Sequence, residues 1–493
     1  MLKIVAGPRH SLYSVEATRL IESAAQAALP AHTLMQRAGQ AVAQLALAIA
    51  PHAQRIWVAC GPGNNGGDGL EAAMHLQRWG KQPVVPWLGH PDQVPPDAAA
   101  SYQRAVDAGV AFTPTPPPDC DLCIDALLGL GGPDRRDPEG RMANWLDLIN
   151  AGAFPVLAVD LPTGLRADTG HAAPHCVTAQ HTLSLLTLKP GLFTADGRDA
   201  VGTVWLDTLD SNNPASPQPD VRAPTAWLAG APAARARRHA SHKGTYGDVA
   251  VVGGASGMTG AALLAASAAL HAGAGRVFVS LLDGGSLSLD VCRPELMFRP
   301  VTALDFNTMT VVCGCGGGDA IRTPLAAILS SAANLVLDAD ALNAIAGDAQ
   351  LQTLLMARAG RHAATVLTPH PLEAARLLGI TSAQVQHDRL KAAGQLAQRF
   401  NCTVVLKGSG TVIAAIGQTP VINPTGNARL ATAGTGDVLA GMVGARLARG
   451  WGIFEAACEA VYEHGLAADQ WPDNKPLIAA ELARQRCTIS RPR

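Results

Sequence analysis

The stretch RIWVACGPGNNGGDGLEAAMHL, residues 55–76, decides how the chain is read. An apolar run of strand type empties into a loop of five glycines that also holds Asn64, Asn65 and Asp68, and a helical pattern follows. Strand, glycine-rich turn and helix make up the repeating unit of a parallel α/β sheet, and such a turn offers N–H groups to a phosphate. The spacing is neither G-x-G-x-x-G nor G-x-x-x-x-G-K-[ST]. Two amides and an acid stand where a dinucleotide fold has bare glycine, so a phosphate cradle alone does not account for this loop.

The same alternation continues outward. Apolar β-branched runs recur at RIWVAC, QPVVPWL, CDLCIDAL, PVLAVDLP and HTLSLL, then at GDVAVVGG, GRVFVSLL, TMTVVCG, NLVLDAD, ATVLTP and CTVVLKG, with alanine-rich helical runs between them. This predicts parallel sheets with helices on both faces. At 493 residues the chain exceeds one typical core. The aperiodic, proline- and asparagine-rich segment 207–225 reads as a linker, giving domains at 1–215 and 222–493.

Composition narrows the function. Apolar residues are 48% and charged residues 16%, so a well-buried globular protein is expected. A formal net charge of −1 argues against nucleic acid or an anionic membrane as the main partner. The opening MLKIVAGPRHSLYS does not read as a signal peptide, and the apolar run GAALLAASAALHAGAG falls short of the ~20 residues of a membrane span. A soluble cytoplasmic protein is expected. Ten cysteines are scattered, and the C-x-x-C of Cys120 and Cys123 lacks a second pair, so they read as reduced structural thiols.

In the first half, acids and amides sit at the carboxyl ends of strands, where open α/β sheets bind ligands. The opening loop is one such place. Asp125 precedes Gly129, Leu130, Gly131 and Gly132, and Asp160 precedes Leu161-Pro162-Thr163-Gly164. Asn65, Asp125 and Thr163 are hard oxygen donors suited to a non-transition cation. Taken singly, Asp125 and Asp160 read equally well as helix caps.

LMQRAG (34–39), GPGNNGGDG (61–69), DALLGLG (125–131), VDLPTGL (159–165) and TLSLLTLKPGL (182–192) together resemble the NAD(P)H-hydrate epimerase family. The resemblance implies a Rossmann-like three-layer sandwich that interconverts the epimers of hydrated NADH and NADPH. It further implies that Asn64, Asn65, Gly66, Gly67 and Asp68 bind the hydrated cofactor, and that Gly129–Gly132 hold its phosphates. Asp160 would bind substrate and act as acid and base, and Asn65, Asp125 and Thr163 would bind potassium. One carboxylate within hydrogen-bonding reach suffices to move the protons of such an epimerisation. Thr163 replaces the family's usual serine, and GLGGPDRR departs from the commoner GTG-type loop.

In the second half, NPTGNARLATAGTGDVLAGMVGARLARG (423–450) places Gly434-Thr435-Gly436-Asp437 at the start of an apolar helix. N–H groups there can meet the charge developing on a transferring phosphoryl group, and Asp437 can take a proton from the attacking hydroxyl. Upstream, Lys407-Gly408-Ser409-Gly410-Thr411 forms a nucleotide-phosphate turn after a strand. This arrangement resembles the ribokinase-like superfamily. HKGTYGDVAVVGG (242–254), GMTGAALLAASAALHAGAG (257–275), DADALN (338–343) and LTPHPLEAARLLG (367–379) narrow the resemblance to the NAD(P)H-hydrate dehydratases. By that resemblance Ala261, Gly318 and His370 contact the hydrated nucleotide, and Lys407–Thr411 with Gly436 bind ADP. Asp437 touches the substrate hydroxyl, and magnesium accompanies ADP as phosphoryl donor. GCGGGD (314–319) departs from the usual GPGLG.

On its own, His370 between two prolines could simply bond local backbone. Of Asp338 and Asp340, strand alternation would turn one away from the site. The run RARRHASHK (235–243) reads as a solvated approach, with attraction of phosphates as the alternative. The implied whole is a bifunctional repair enzyme acting on hydrated NAD(P)H and ADP, with a homo-oligomer expected. Its rivals are a vitamin-alcohol kinase carrying a sensing domain and a non-catalytic nucleotide-binding regulator.

Overall fold

A computed structural model describes residues 1–131, 137–210, 223–233 and 237–485. The chain divides into two compact units. The first comprises Met1–Val5 with His10–Ala226, and the second Ala6–Arg9 with Trp227–Arg493. Most of the expected linker, residues 211–222, lies outside the described residues. Ala6–Arg9 joins the second unit through a parallel bridge between Gly7 and Gly230 and through Arg9, which stacks 4.0 Å from the centre of the Trp227 ring. Nothing in the polar composition of GPRH signalled that attachment.

The first unit holds one sheet of eight strands. They run in the order Leu2–Lys3, Thr203–Asp207, His181–Leu185, Val156–Val159, Leu122–Ala126, Arg55–Cys60, Gln82–Pro86 and Ala111–Thr113. All pairs are parallel except the edge pair of Leu2–Lys3 with Thr203–Asp207. Strands covered on both faces read as continuous apolar runs, and Ile56–Cys60 is buried throughout. Chain order reverses between Arg55–Cys60 and Leu122–Ala126, and this switch point opens a crevice at the carboxyl ends of the two strands.

The helix after the strand Arg55–Cys60 spans Asn64–Arg78, so Asn64 to Asp68 form its first turn instead of a loop preceding it. The glycines permit this tight entry. A Cβ on Gly66 would lie 2.0 Å from the Gly61 carbonyl oxygen, so any larger residue would push the helix off the strand end.

The second unit is also parallel at its centre. Its strands run Met297–Phe298, Arg276–Leu281, Asp248–Gly253, Thr310–Cys313, Asn334–Leu337, Ala364–Leu367, Thr403–Leu406, Val412–Ala414, Val421–Ile422 and Ala226–Leu228. Here the order reverses between Asp248–Gly253 and Thr310–Cys313. The three strands from Thr403 to Ile422 pair antiparallel. Helices Thr259–His271 and Thr435–Ala448 pack closely because small residues line their contact. No described helix is long and apolar enough to cross a membrane.

The tightest point of that helix pair is Gly441, where a Cβ would lie 2.0 Å from the Ala265 carbonyl oxygen. Gly441→Ala is expected to lower unfolding free energy by about 2 kcal/mol or more, because the helices cannot separate without opening the core. Gly394→Ala, in the helix Arg389–Phe400 with nothing within 4 Å of the new methyl, is expected to stabilise by ~0.5–1 kcal/mol instead. Urea titration of both variants checks the contrast.

Candidate functional site

At the switch point of the first unit lies a cavity of about 360 Å³. Of the residues picked out above, Asn64, Asn65, Asp68, Gly129, Leu130, Gly131 and Asp160 line it. Gly66 and Gly67 face the packed side of the helix, where Cβ atoms would meet Gly61 and Met35. Gly132 lies outside the described residues. Three wall residues carried no motif signal: Arg19 and Glu22 on the helix Val15–Ala27, and Asp97.

Asp160 stands in the left-handed region at φ +66°, which Asp and Asn tolerate better than other side chains but rarely adopt without reason. The turn aims its carboxylate at Lys189, a fully buried ammonium contributed by TLKPGL. Lys189 Nζ pairs with Asp160 Oδ1 and also donates to the Leu185 carbonyl at 2.8 Å and to Ser184 Oγ at 3.2 Å. The Leu185 N–H donates to the same Asp160 oxygen at 3.2 Å. The carboxylate is thereby held with one cationic side and one side toward the cavity.

Asp68 and Glu22 feel this charge. Burial, and then the Asp160 carboxylate, raise the Asp68 carboxyl well above the ordinary carboxylate range. Burial and Asp160 raise Glu22 likewise, against the opposing pull of Lys189 and Arg19. The cavity thus holds a lysine-paired carboxyl beside Asp68 and Glu22 carboxyls that readily keep a proton, a set of groups suited to proton transfer at one bound centre.

Behind this wall, Asp125 and Thr163 are locked together. The Thr163 N–H donates to Asp125 Oδ2 at 2.8 Å and its hydroxyl to Oδ1 at 2.7 Å, while Thr163 Oγ1 accepts from the Leu128 N–H at 3.0 Å. Asn65 is buried against Gly129, and its Nδ2 has no partner among the described residues. A buried orphan amide marks a place where a polar ligand belongs.

In the second unit, Asp437 sits in the first turn of the helix Thr435–Ala448. Its carboxylate, the Asp338 carboxylate and Cys315 Sγ offer atoms that all lie within 4.8 Å of one another. Lys407 Nζ pairs with Asp338 Oδ1 at 2.5 Å, and a Cβ on Gly436 would lie 3.3 Å from the same Nζ. Burial first, and then the Asp338 carboxylate, raise Asp437 to about 6, with Lys407 and the Cys315 thiol pulling the other way. Lys407 keeps its proton more firmly than usual. Burial opposes this, but the Asp338 and Glu373 carboxylates outweigh it.

The turn Lys407–Thr411 joins antiparallel strands, and Thr411 Oγ1 donates to the Gly408 carbonyl at 3.1 Å. Beneath it lies Arg389, fully buried in a helix, whose Nη2 donates to the Leu406 and Lys407 carbonyls at 3.1 Å each. Neither Arg389 nor Glu373 was visible as a site residue, because their partners are backbone atoms or lie far away in sequence. Ala261 opens the helix Thr259–His271, and a Cβ on Gly316 would touch it. The Gly318 N–H donates to Asp340 Oδ2 at 2.9 Å.

One expectation changes here, and for His370 the local alternative is met. The strand ends at Leu337, so Asp338 and Asp340 do not alternate along it. Asp338 caps the next helix and faces Lys407, while Asp340 braces the glycine loop. His370 is the N-cap of the helix Pro371–Leu378, where Nδ1 accepts from the N–H groups of Leu372 and Glu373. Nδ1 is therefore engaged with local backbone, and Nε2 lies 3.2 Å from Glu373.

Lys189→Met would leave Asp160 in its constrained turn with no cation beside it. This variant is expected to lose about 3–5 kcal/mol of stability, as when one partner of a buried pair is removed. Guanidinium titration at neutral pH reads the loss.

Residues 249–491 match the family model described as NAD(P)H-hydrate dehydratase, and residues 31–191 match that of the YjeF-related protein N-terminus. The bifunctional NAD(P)H-hydrate repair enzyme Nnr of Escherichia coli K12 is 35% identical over 471 residues, covering 91% of this chain and 87% of that one. An ADP-dependent (S)-NAD(P)H-hydrate dehydratase of Neisseria meningitidis is 44% identical over 264 residues, 52% of this chain and 88% of that one. A crystal structure of the ADP/ATP-dependent dehydratase of Bacillus subtilis with ATP and magnesium aligns with a TM-score of 0.42 at 29% identity, covering 50% of this chain and 90% of that one. With both halves matched in order and nearly the whole length aligned to Nnr, this chain belongs to the family of bifunctional NAD(P)H-hydrate repair enzymes.

Proposed function

We propose that the two units repair hydrated NADH and NADPH in succession. The first interconverts the R and S hydrates. The second uses ADP to phosphorylate the S hydrate and then expels phosphate, returning NAD(P)H with AMP and phosphate. The observation that carries the second half is the convergence of Asp437, Asp338 and Lys407 at one helix start.

In the second unit, Asp437 takes the proton from the substrate hydroxyl as it attacks the phosphoryl group. Lys407 and the N–H groups around Gly436 receive the charge that develops, and the turn Lys407–Thr411 holds the ADP phosphates. Arg389 keeps that turn in place. Asp338 offers hard oxygens of the kind magnesium takes, and magnesium, when bound, neutralises charge on the transferred group. Ala261, Gly318 and His370 bound the space for the hydrated ring. His370 does so through Nε2, since Nδ1 is occupied.

In the first unit, Asp160 moves the protons of epimerisation while Lys189 fixes its orientation. Asn64, Asn65 and Asp68 bind the hydrated cofactor, with Gly129–Gly132 beside its phosphates. The side-chain oxygens of Asn65, Asp125 and Thr163 are hard donors of the kind a potassium ion takes, and such an ion would tie the helix start to two strand ends. The reading places the protein in the cytoplasm as a homo-oligomer.

Three measurements test this. Asp437→Asn should abolish ADP-dependent recovery of absorbance near ~340 nm from the S hydrate while leaving epimerisation intact, and Asp160→Ala should do the reverse. The acid limb of kcat/KM for dehydration should fall below a pKa of about 6, because Asp437 acts only when deprotonated. Replacing potassium by a bulky organic cation at constant ionic strength should slow epimerisation alone, and Thr163→Val should remove the difference.

A further inference from the structure

The end of the helix Thr435–Ala448 remote from Asp437 carries a second concentration of charge. Arg446 and the capping residue Arg449 lie about 14 and 18 Å along the axis from Asp437, at 1.5 Å per residue. Arg237, from the basic run that the repair chemistry leaves unused, meets them. The three guanidinium groups surround the end of the helix Thr259–His271. Arg446 Nη1 donates to the Ala272 carbonyl at 2.8 Å, Arg449 Nη1 to the same oxygen at 3.4 Å, and Arg237 Nη2 to the Gly273 carbonyl at 2.7 Å.

Aromatic faces hold the groups in place. Arg237 lies 4.1 Å and Arg449 5.9 Å from the centre of the Tyr246 ring, and Arg446 and Arg449 lie 5.4 and 5.7 Å from that of Trp451. Stacking on a ring leaves the in-plane N–H groups to donate, and those not taken by the helix carbonyls or Glu463 remain for an acceptor such as phosphate.

Beside them is a cavity of about 240 Å³, walled in part by His271, Met442, Arg446, Arg449, Glu463 and His464. Arg446 is only 5% exposed, yet its Nε and that of Arg449 are buried without a hydrogen-bond partner among the described residues. Glu463 pairs with Arg446, and no described carboxylate lies within ion-pair distance of Arg237 or Arg449. The helix carbonyls explain why cations gather here. They do not explain two buried donors left empty, which call for an acceptor.

We propose that Arg446 and Arg449, flanked by Arg237, form a binding site for the phosphate group of a small molecule, separate from the catalytic helix start. The cavity suits a phosphate group and not a whole dinucleotide. Free orthophosphate and a mononucleotide both carry that group, and both leave the dehydration reaction as products. His464 gives the site a route to the chemistry, since it lines the cavity and its Nε2 contacts the Thr435 carbonyl at 2.9 Å, two residues before Asp437.

The test uses the full chain saturated with ADP, so that the catalytic nucleotide site is filled. Thermal unfolding is followed against orthophosphate, and separately against AMP, at matched ionic strength. Orthophosphate is expected to raise the Tm of the unsubstituted protein, and Arg449→Gln is expected to weaken its apparent affinity about tenfold. The dehydration rate of Arg449→Gln without added phosphate verifies that the variant is folded. The exposed Arg237→Gln, expected to weaken binding about threefold, serves if Arg449→Gln does not fold. A variant-sensitive rise with AMP alone assigns the site to nucleotide phosphate. No rise with either ligand, or equal rises in the variants and the unsubstituted protein, overturns the proposal.

Discussion

In each unit a lysine held against an aspartate at the carboxyl end of a strand fixes the geometry of everything around it. Lys189 meets Asp160 in the first, and Lys407 meets Asp338 in the second. A buried ammonium is tolerated only where a carboxylate and further acceptors meet it, so each pair demands a particular backbone path. In the first unit that path is a left-handed turn and the chain from Ser184 to Lys189. In the second it is the hairpin that Arg389 props from below. Burial raises the proton affinities of Asp68, Glu22 and Asp437 first, and the carboxylates of these pairs add to it.

Much of this architecture was legible from composition and periodicity. All eleven apolar runs named from the sequence contain strands, because central parallel strands are buried on both faces and cannot hide their character. Thr203–Asp207, of five residues, escaped notice, and the other strands that did, such as Val412–Ala414, Val421–Ile422 and Ala226–Leu228, are two or three residues long. Segments that short carry no period to detect. The start of the helix at Asn64 was hidden for another reason. Glycine and asparagine are poor helix formers, and close packing of the helix glycines against Gly61, Met35 and Ala126 overrides that preference.

The sites were legible where function needs an unusual local pattern, and illegible where it needs a distant partner. GPGNNGGDG and GTGD announce themselves. Lys189, Glu22, Arg389 and Glu373 do not, since a lone lysine, glutamate or arginine on an element reads as a solvated residue until the fold buries it. His370 shows the two levels coexisting. Its ring caps a helix through Nδ1 and meets the Glu373 carboxylate through Nε2, so one side chain serves the backbone and borders a charged cluster.

The left-handed turn at Asp160 has an evolutionary corollary. Backbone conformation there admits glycine, asparagine and aspartate with little strain and penalises nearly everything else. Of those three only aspartate supplies the charge that the buried Lys189 requires. Two independent filters, one steric and one electrostatic, thus overlap in a single residue type. Position 160 is confined by the fold even before chemistry is considered, so drift away from the acid carries a structural penalty of its own.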